Sequence, residues 1–160
     1  FLKYSLFNLD NNTDNYKSRI IFTSSDSHRW SKYHKIKKEY QYTIINQVQH
    51  YAETKLYNQM ICNYFVNELN DKIDVYGVCP GGVASGIAKH APLIGRILAK
   101  GFFNVCFQSI QRAGKHIIYA AIKPRKLLPT GSYFWMMHQP KLSNESTNND
   151  NIKELIGDIQ

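Results

Sequence analysis

The pair of residues with the clearest chemical use is Tyr51 and Lys55, in the stretch Tyr51-Ala-Glu-Thr-Lys-Leu-Tyr-Asn58. Four residues apart, their side chains project from one face if the segment is helical. A phenol has a reference pKa of about 10, and a nearby ammonium favours its ionised form. Tyr51 is therefore a candidate general acid/base near neutral pH. The plainer reading is an ordinary i,i+4 pair, because motifs this short match by accident. A second candidate is the pair Ser24 and Ser25, which ends the apolar run Arg19-Ile-Ile-Phe-Thr-Ser-Ser25. In open α/β sheets ligands sit outside the carboxyl ends of the strands, so hydroxyls there are well placed for chemistry. Serines also simply end strands. A third is Cys79-Pro-Gly-Gly-Val-Ala-Ser85. Pro80, Gly81 and Gly82 impose a turn and let backbone come close to a ligand, although Pro-Gly is a general turn signal.

These residues need elements to hold them. Leu56, Met60, Ile61, Tyr64, Phe65 and Leu69 form an apolar stripe at helical spacing, which predicts a helix over 51–69. The runs 19–25, 73–78 and 131–137 are short, apolar and β-rich, as expected of buried strands in a parallel sheet. A regular helix is expected over 109–122, stopped by Lys123-Pro124. Residues 1–9 read as the end of an apolar helix, 10–17 as a polar loop, and 26–50 as polar and aromatic with no clear period. The apolar stretch 86–107 is broken by Pro92, Gly95 and Gly101. It suits a mobile lid over an apolar ligand, or a surface helix packed on the core. Residues 143–150 read as a polar linker, and 151–159 as a short terminal helix. There is no internal repeat. The alternation of strands and helices places the chain in the α/β class.

Composition sets the outer bounds. The chain has 160 residues, 43% of them hydrophobic, enough for one domain with a core. The net charge of +8 is compatible with nucleic acid or an anionic membrane surface. Part of it is local, in Arg29, Lys32, Lys35, Lys37 and Lys38. We read that cluster as a solvated loop. Nucleic-acid binding would need basic and aromatic residues on one face, which the rest of the chain does not offer. Cys62, Cys79 and Cys106 have no metal-like spacing, so no metal site is expected. Their odd number argues against a disulfide framework and for a reducing, intracellular compartment. No signal peptide and no membrane-spanning apolar run is visible. The first residue is Phe1, so a fragment or processed product is expected.

The order strand-Ser-Ser, Tyr-x-x-x-Lys helix, strand-Pro-Gly-x-Val-x-Ser, apolar lid, helix and strand resembles the C-terminal half of a short-chain dehydrogenase/reductase. The wording is most similar to the retinol-dehydrogenase-like branch, in Ser18-Arg-Ile-Ile-Phe-Thr-Ser-Ser-Asp-Ser-His28, in Tyr51 to Asn58, and in Ala113-Gly-Lys-His-Ile-Ile-Tyr-Ala-Ala121. The resemblance spans residues 1–160, more weakly in 29–50 and 138–160. Each motif is modest alone; three in the right order are specific.

The resemblance implies the C-terminal part of a doubly wound parallel-sheet (Rossmann) domain, a single partial domain with its N-terminal strands missing, residues 86–107 forming the substrate lid. It implies that Tyr51 exchanges a proton with the substrate oxygen. Lys55 would favour the ionised Tyr51 and hold the nicotinamide ribose. Ser25 would hydrogen-bond the reacting carbonyl or alcohol, with Ser24 the alternative by one position. Pro80, Gly81, Gly82 and Val83 would lie against the nicotinamide. Ser85, where the family usually has threonine, would touch the carboxamide or phosphate. The cofactor implied is NADP or NAD, the branch favouring NADP. Two family features are absent from this sequence. One is the Gly-rich turn that seats the pyrophosphate. The other is the catalytic asparagine, for which Asn8 lies too far along.

The expected activity of the full-length enzyme is alcohol/carbonyl interconversion on an apolar partner such as a retinoid, steroid or lipid-like carbonyl, in the cytoplasm or on the cytoplasmic face of a membrane, with no nucleic acid; the fragment alone is expected to be inactive. The alternative is a truncated, non-catalytic dehydrogenase-like module that acts through binding.

Overall fold

The computed structural model describes residues 18–35, 44–69, 72–83 and 108–159. The expected helix at 1–9, the lid at 86–107 and Ser85 lie outside the described residues. Within them the fold is mixed α/β. Strand β1 (Arg19–Thr23) is followed by a 3-10 turn (Asp26–Trp30), helix α1 (Ile44–Leu69) and strand β2 (Asp74–Cys79). Helix α2 (Ile110–Ile122), strand β3 (Tyr133–Trp135) and helix α3 (Asn149–Ile159) come next. The strands form a parallel sheet in the order β1-β2-β3.

Every residue of β2 is buried, because helices cover both faces of the sheet. Successive strand residues point to opposite faces. Tyr76 and Val78 point into a cluster with Ala120, Leu128 and Phe134, against which Ile21, Ile117 and Tyr119 pack. That is the α2 side. Gly77, between them, points the other way, toward α1. A Cβ on Gly77 would collide with Gln59 Oε1 and come within 3.1 Å of its Cδ and Nε2. The missing side chain therefore lets Gln59, itself fully buried, into the sheet surface. Phe22 of β1 stacks on Phe65 of α1 at 6.1 Å on the same side.

The predicted stripe of α1 splits between these contacts and the chain's end. Leu56 and Met60 are fully buried, and form a cluster with Ile152 and Leu155 of α3. Burying such a side chain is worth about 1.5–3 kcal/mol over leaving it exposed. The expected polar linker is not loose. Glu145–Thr147 forms a 3-10 turn, Ser146 is buried, and Asn63 Nδ2 of α1 donates to the Ser146 carbonyl at 2.6 Å. Its polar side chains satisfy backbone groups, which is why composition alone read as a linker.

The amino ends of the strands are held by charge. Arg19 Nη1 donates to the carbonyls of Ala120 and Ala121 at 3.1 and 2.9 Å, groups that the end of α2 leaves without helical partners. Asp74 is fully buried, with Arg125 Nε 3.1 Å from its Oδ1. Tyr76 donates its hydroxyl proton to the Leu128 carbonyl at 2.9 Å; burial, then the Asp74 charge, pushes its pKa up to about 12.

Boundaries shift slightly from the expectation. β1 ends at Thr23, before the serines, and α1 begins at Ile44, seven residues ahead of Tyr51. The largest difference is in β3, expected to run to Met137. It stops at Trp135, because Met136 and Met137 adopt φ of 46° and 68°. Trp135 and His138 exchange backbone hydrogen bonds at 2.8 and 2.9 Å across that turn. Two consecutive left-handed residues match the hairpin turn that normally carries Asn-Gly, so nothing in Met-Met announces it.

Gly77→Ala is expected to lower the unfolding free energy by about 1–3 kcal/mol, the usual cost of overpacking a core. The cost should shrink markedly in a Gln59→Ala background, where the colliding amide is gone. Guanidinium unfolding of the parent, both single variants and the double variant checks this; strictly additive costs would show that the Gly77–Gln59 approach does not control the packing.

Candidate functional site

The parallel register brings the carboxyl ends of all three strands to one edge, with Thr23 opposite Val78 and Cys79 opposite Trp135. Sequence-predicted residues gather there. Helix α1 reaches this edge with its first half. Lys55 Nζ donates to the carbonyl of Thr23, the last residue of β1, at 3.2 Å. It lies 5.6 Å from the centre of the Tyr51 ring. Tyr51 is 51% exposed. An ammonium has three N–H donors. With one on Thr23, the others remain for hydroxyl or carbonyl oxygens.

The two serines separate cleanly. Ser24 continues the β pairing, its N–H donating to the Val78 carbonyl at 2.8 Å, and its side chain is buried. Ser25 is half-buried and caps the 3-10 turn. Its Oγ accepts from the Ser27 N–H at 3.3 Å and lies 2.9 Å from the Ser27 hydroxyl. Ser25 is thus the reachable hydroxyl, and it is also a cap, so both readings of that residue hold together.

The 3-10 turn after Ser25 forms a shelf across the strand ends, and reading 26–50 as featureless missed it. The Asp26 N–H donates to Cys79 Sγ at 3.3 Å. Arg29 pairs with Asp26 at 2.6 Å, donates to the Lys141 carbonyl at 2.6 Å, and lies over the Tyr133 ring. His28 is fully buried. Its Nδ1 lies 2.8 Å from the Ser25 carbonyl and its ring meets Tyr133 edge-on. A carbonyl only accepts, so Nδ1 carries the proton in this contact. Burial, above all, pulls the His28 pKa below the ordinary 6.5, helped by Arg29 and opposed by the Ser25 carbonyl and Asp26. The Tyr133 hydroxyl is pushed up, mainly by burial and then by Cys79. The signal available in the sequence was Ser25-Asp26-Ser27, a cap residue followed by turn formers.

The turn after β2 is shaped by the chain itself. Gly81 has φ of 85°, and a Cβ there would come within 2.8 Å of Met136 Sδ and 2.9 Å of Gln108 Nε2. The close approach that this glycine permits is therefore to two protein side chains. Gln108 Nε2 also donates to the Pro80 carbonyl, and its backbone N–H donates to Gly82 at 2.9 Å. Gln108 Oε1 lies 3.0 Å from His116 Nε2. Gly82 is exposed and Val83 half-buried. Beside it a cavity of about 720 Å³ is lined by Arg112, Lys115, His116, Trp135 and His138 among others. Motif reading found neither Gln108 nor this cavity.

Burial pushes the Cys62 thiol up to about 12, a side-chain hydrogen bond from Gln59 working the other way. Among the described residues no group of three or more His, Cys, Asp or Glu could hold a metal ion, and no helix is long and apolar enough to cross a membrane. No protein-family model matches the chain, and no curated protein matches it either.

The histidines make stability pH-dependent. Burial lowers the pKa of His28 and also of His116, where Arg112 adds to it. Below the ordinary value of 6.5 the unfolded chain takes up protons that the folded chain refuses. Stability is then fully present above that pH and lost as the pH falls below it. Denaturant midpoints measured from neutral to mildly acid pH should fall in the parent and fall less in His28→Asn. A flat parent profile would show that the imidazoles are not held neutral.

Proposed function

We propose that this chain forms the C-terminal half of a Rossmann-type domain of the short-chain dehydrogenase/reductase kind, and that it serves an NAD(P)-dependent interconversion of alcohol and carbonyl. The observation that carries the reading is the meeting of Tyr51 and Lys55 with the carboxyl end of β1, through the Lys55–Thr23 hydrogen bond, next to the half-buried Ser25. Three chemically distinct groups of the expected kind stand along one edge of a parallel sheet, the edge at which α/β proteins bind ligands.

The residues present fit the nicotinamide end of the cofactor. Lys55 keeps free donors suited to ribose hydroxyls, and Gly82 in the turn after β2 is exposed. Among the described residues there is no Gly-rich strand–turn–helix for a pyrophosphate. A bound reduced nicotinamide supplies a hydride to the carbonyl carbon. The chain does the rest. Ser25 donates a hydrogen bond to the carbonyl oxygen and fixes its place. Tyr51 gives its phenolic proton to that oxygen as the C=O bond becomes an alcohol. Lys55 stabilises the phenolate left behind until solvent restores its proton. Oxidation of an alcohol runs the same steps backwards. The substrate class follows the retinol-dehydrogenase-like wording: an apolar carbonyl or alcohol such as a retinoid, steroid or other lipid-like compound.

Tyr51 is exposed, so Tyr51→Phe should leave stability within about 0.5 kcal/mol of the parent. It should lower nicotinamide-dependent turnover by roughly 100-fold or more, the scale of a lost general acid, with cofactor affinity nearly unchanged. Lys55→Ala should reduce both turnover and cofactor affinity. Absorbance assays with NADPH and NADH, paired with titration calorimetry, check both. Parent-like turnover in Tyr51→Phe would remove the tyrosine from the chemistry, whereas a full-length parent that binds cofactor without turnover would favour the non-catalytic binding module.

A further inference from the structure

We infer that Ser27 and His28 are positioning residues that hold Ser25 with its hydroxyl proton turned outward, so that the site receives its ligand's oxygen as a hydrogen-bond acceptor. The inference rests on the proposed carbonyl chemistry and adds the source of its orientation.

A serine hydroxyl has one donor proton and two acceptor lone pairs. The Ser27 N–H donates to Ser25 Oγ at 3.3 Å, and the Ser27 hydroxyl, 2.9 Å away, is placed to fill the second lone pair. What Ser25 still offers is its own O–H. A group in that state binds a carbonyl oxygen and has nothing with which to accept from an alcohol.

The backbone of Ser25 is fixed just as firmly. Its carbonyl accepts from the His28 N–H at 3.1 Å and lies 2.8 Å from His28 Nδ1. The His28 ring cannot swing away, because it is fully buried against the edge of Tyr133. The shelf that carries both residues is tied to β2 through Asp26 and Cys79, and to the Lys141 carbonyl through Arg29. Ser25 is thus held on the side-chain end by Ser27 and on the main-chain end by His28. Neither residue touches the reacting atoms; both act through Ser25. Misplacing a contact group by about 1 Å costs roughly 100-fold in rate, so the effect of losing this support should be read in kcat.

The test compares Ser27→Ala, His28→Asn and His28→Gln with the parent in the intact protein, using decanal and retinaldehyde as probes with NADPH or NADH. Asparagine keeps an N–H donor close to the place of Nδ1, whereas glutamine extends its amide to the place of Nε2 and leaves the Ser25 carbonyl short of that donor. We expect Ser27→Ala and His28→Gln to lower kcat by roughly 10- to 100-fold, with cofactor affinity unchanged, and His28→Asn to stay near the parent. His28 is buried, so if its variants fail to fold, Ser27→Ala decides alone. A Ser27→Ala enzyme with parent kcat overturns the role of Ser27. Equal losses in His28→Asn and His28→Gln, both folded, overturn that of His28, since a space-filling ring would not discriminate between them. A parent with no nicotinamide-dependent turnover overturns the proposed chemistry and the positioning role with it, and is told apart because the failure precedes any substitution.

Discussion

The close approach of Gln59 to Gly77 sets the geometry on which the rest depends. Tyr51, Lys55, Gln59 and Asn63 form one i,i+4 series along α1. Its second half is an anchor: Gln59 enters the space that Gly77 leaves, its Nε2 donates to Asn63 Oδ1 at 3.3 Å, and Asn63 reaches the Ser146 carbonyl. Its first half overhangs the end of β1, where Lys55 meets Thr23. A helix seated on the middle of the sheet by a buried amide thus delivers a phenol and an ammonium to the strand edge. The chemistry-bearing groups inherit their positions from packing two turns away.

Much of this arrangement is legible in the sequence, for physical reasons that can be named. The stripe from Leu56 to Leu69 declares a helix because burial on one side repeats with the helical period. The strands 19–25 and 73–78 declare themselves through Ile20, Ile21 and Phe22 and through Ile73, Val75, Tyr76 and Val78, short β-branched and apolar clusters of the kind that strands covered on both faces carry. Three things stay hidden. The shelf at 26–30 is organised by a cap and a buried imidazole, and neither leaves a period. The stop of β3 at Trp135 depends on two methionines in a left-handed conformation, which their side chains do nothing to advertise. The contribution of 143–159 to the core rests on Ile152 and Leu155, two apolar residues in a polar stretch whose importance comes from meeting Leu56 and Met60. Tyr51, Lys55 and Ser25 stand near the strand-end edge; the buried support beneath Ser25 has no period to announce it.

The two ends of the sheet are built on different principles. At the amino ends, charges hold elements together: Arg19 on the last carbonyls of α2, Arg125 on the buried Asp74. Removing one member of a buried pair leaves the other uncompensated, so this end tolerates little change. At the carboxyl ends the buried groups under the site are kept neutral. Burial lowers the His28 pKa and raises that of Tyr133, and both shifts disfavour the charged form. The only ionic group of the proposed trio is Lys55, which is half-exposed. Lys55 on the Thr23 carbonyl and the Arg29–Asp26 pair in the shelf bring charge beside these neutral groups.

The exposure of Tyr51 has a consequence for how such a chain drifts. A hydroxyl half in solvent contributes little to folding, so its loss by mutation passes unseen by the cell's quality control, which responds to unfolded chain. Gly77 is in the opposite position, silent in chemistry and costly to replace. Selection for a folded product and selection for a working site therefore act on separate residues here. A gene copy released from any pressure on the proposed site would keep its shape long after Tyr51 was lost, ready to be recruited as a scaffold.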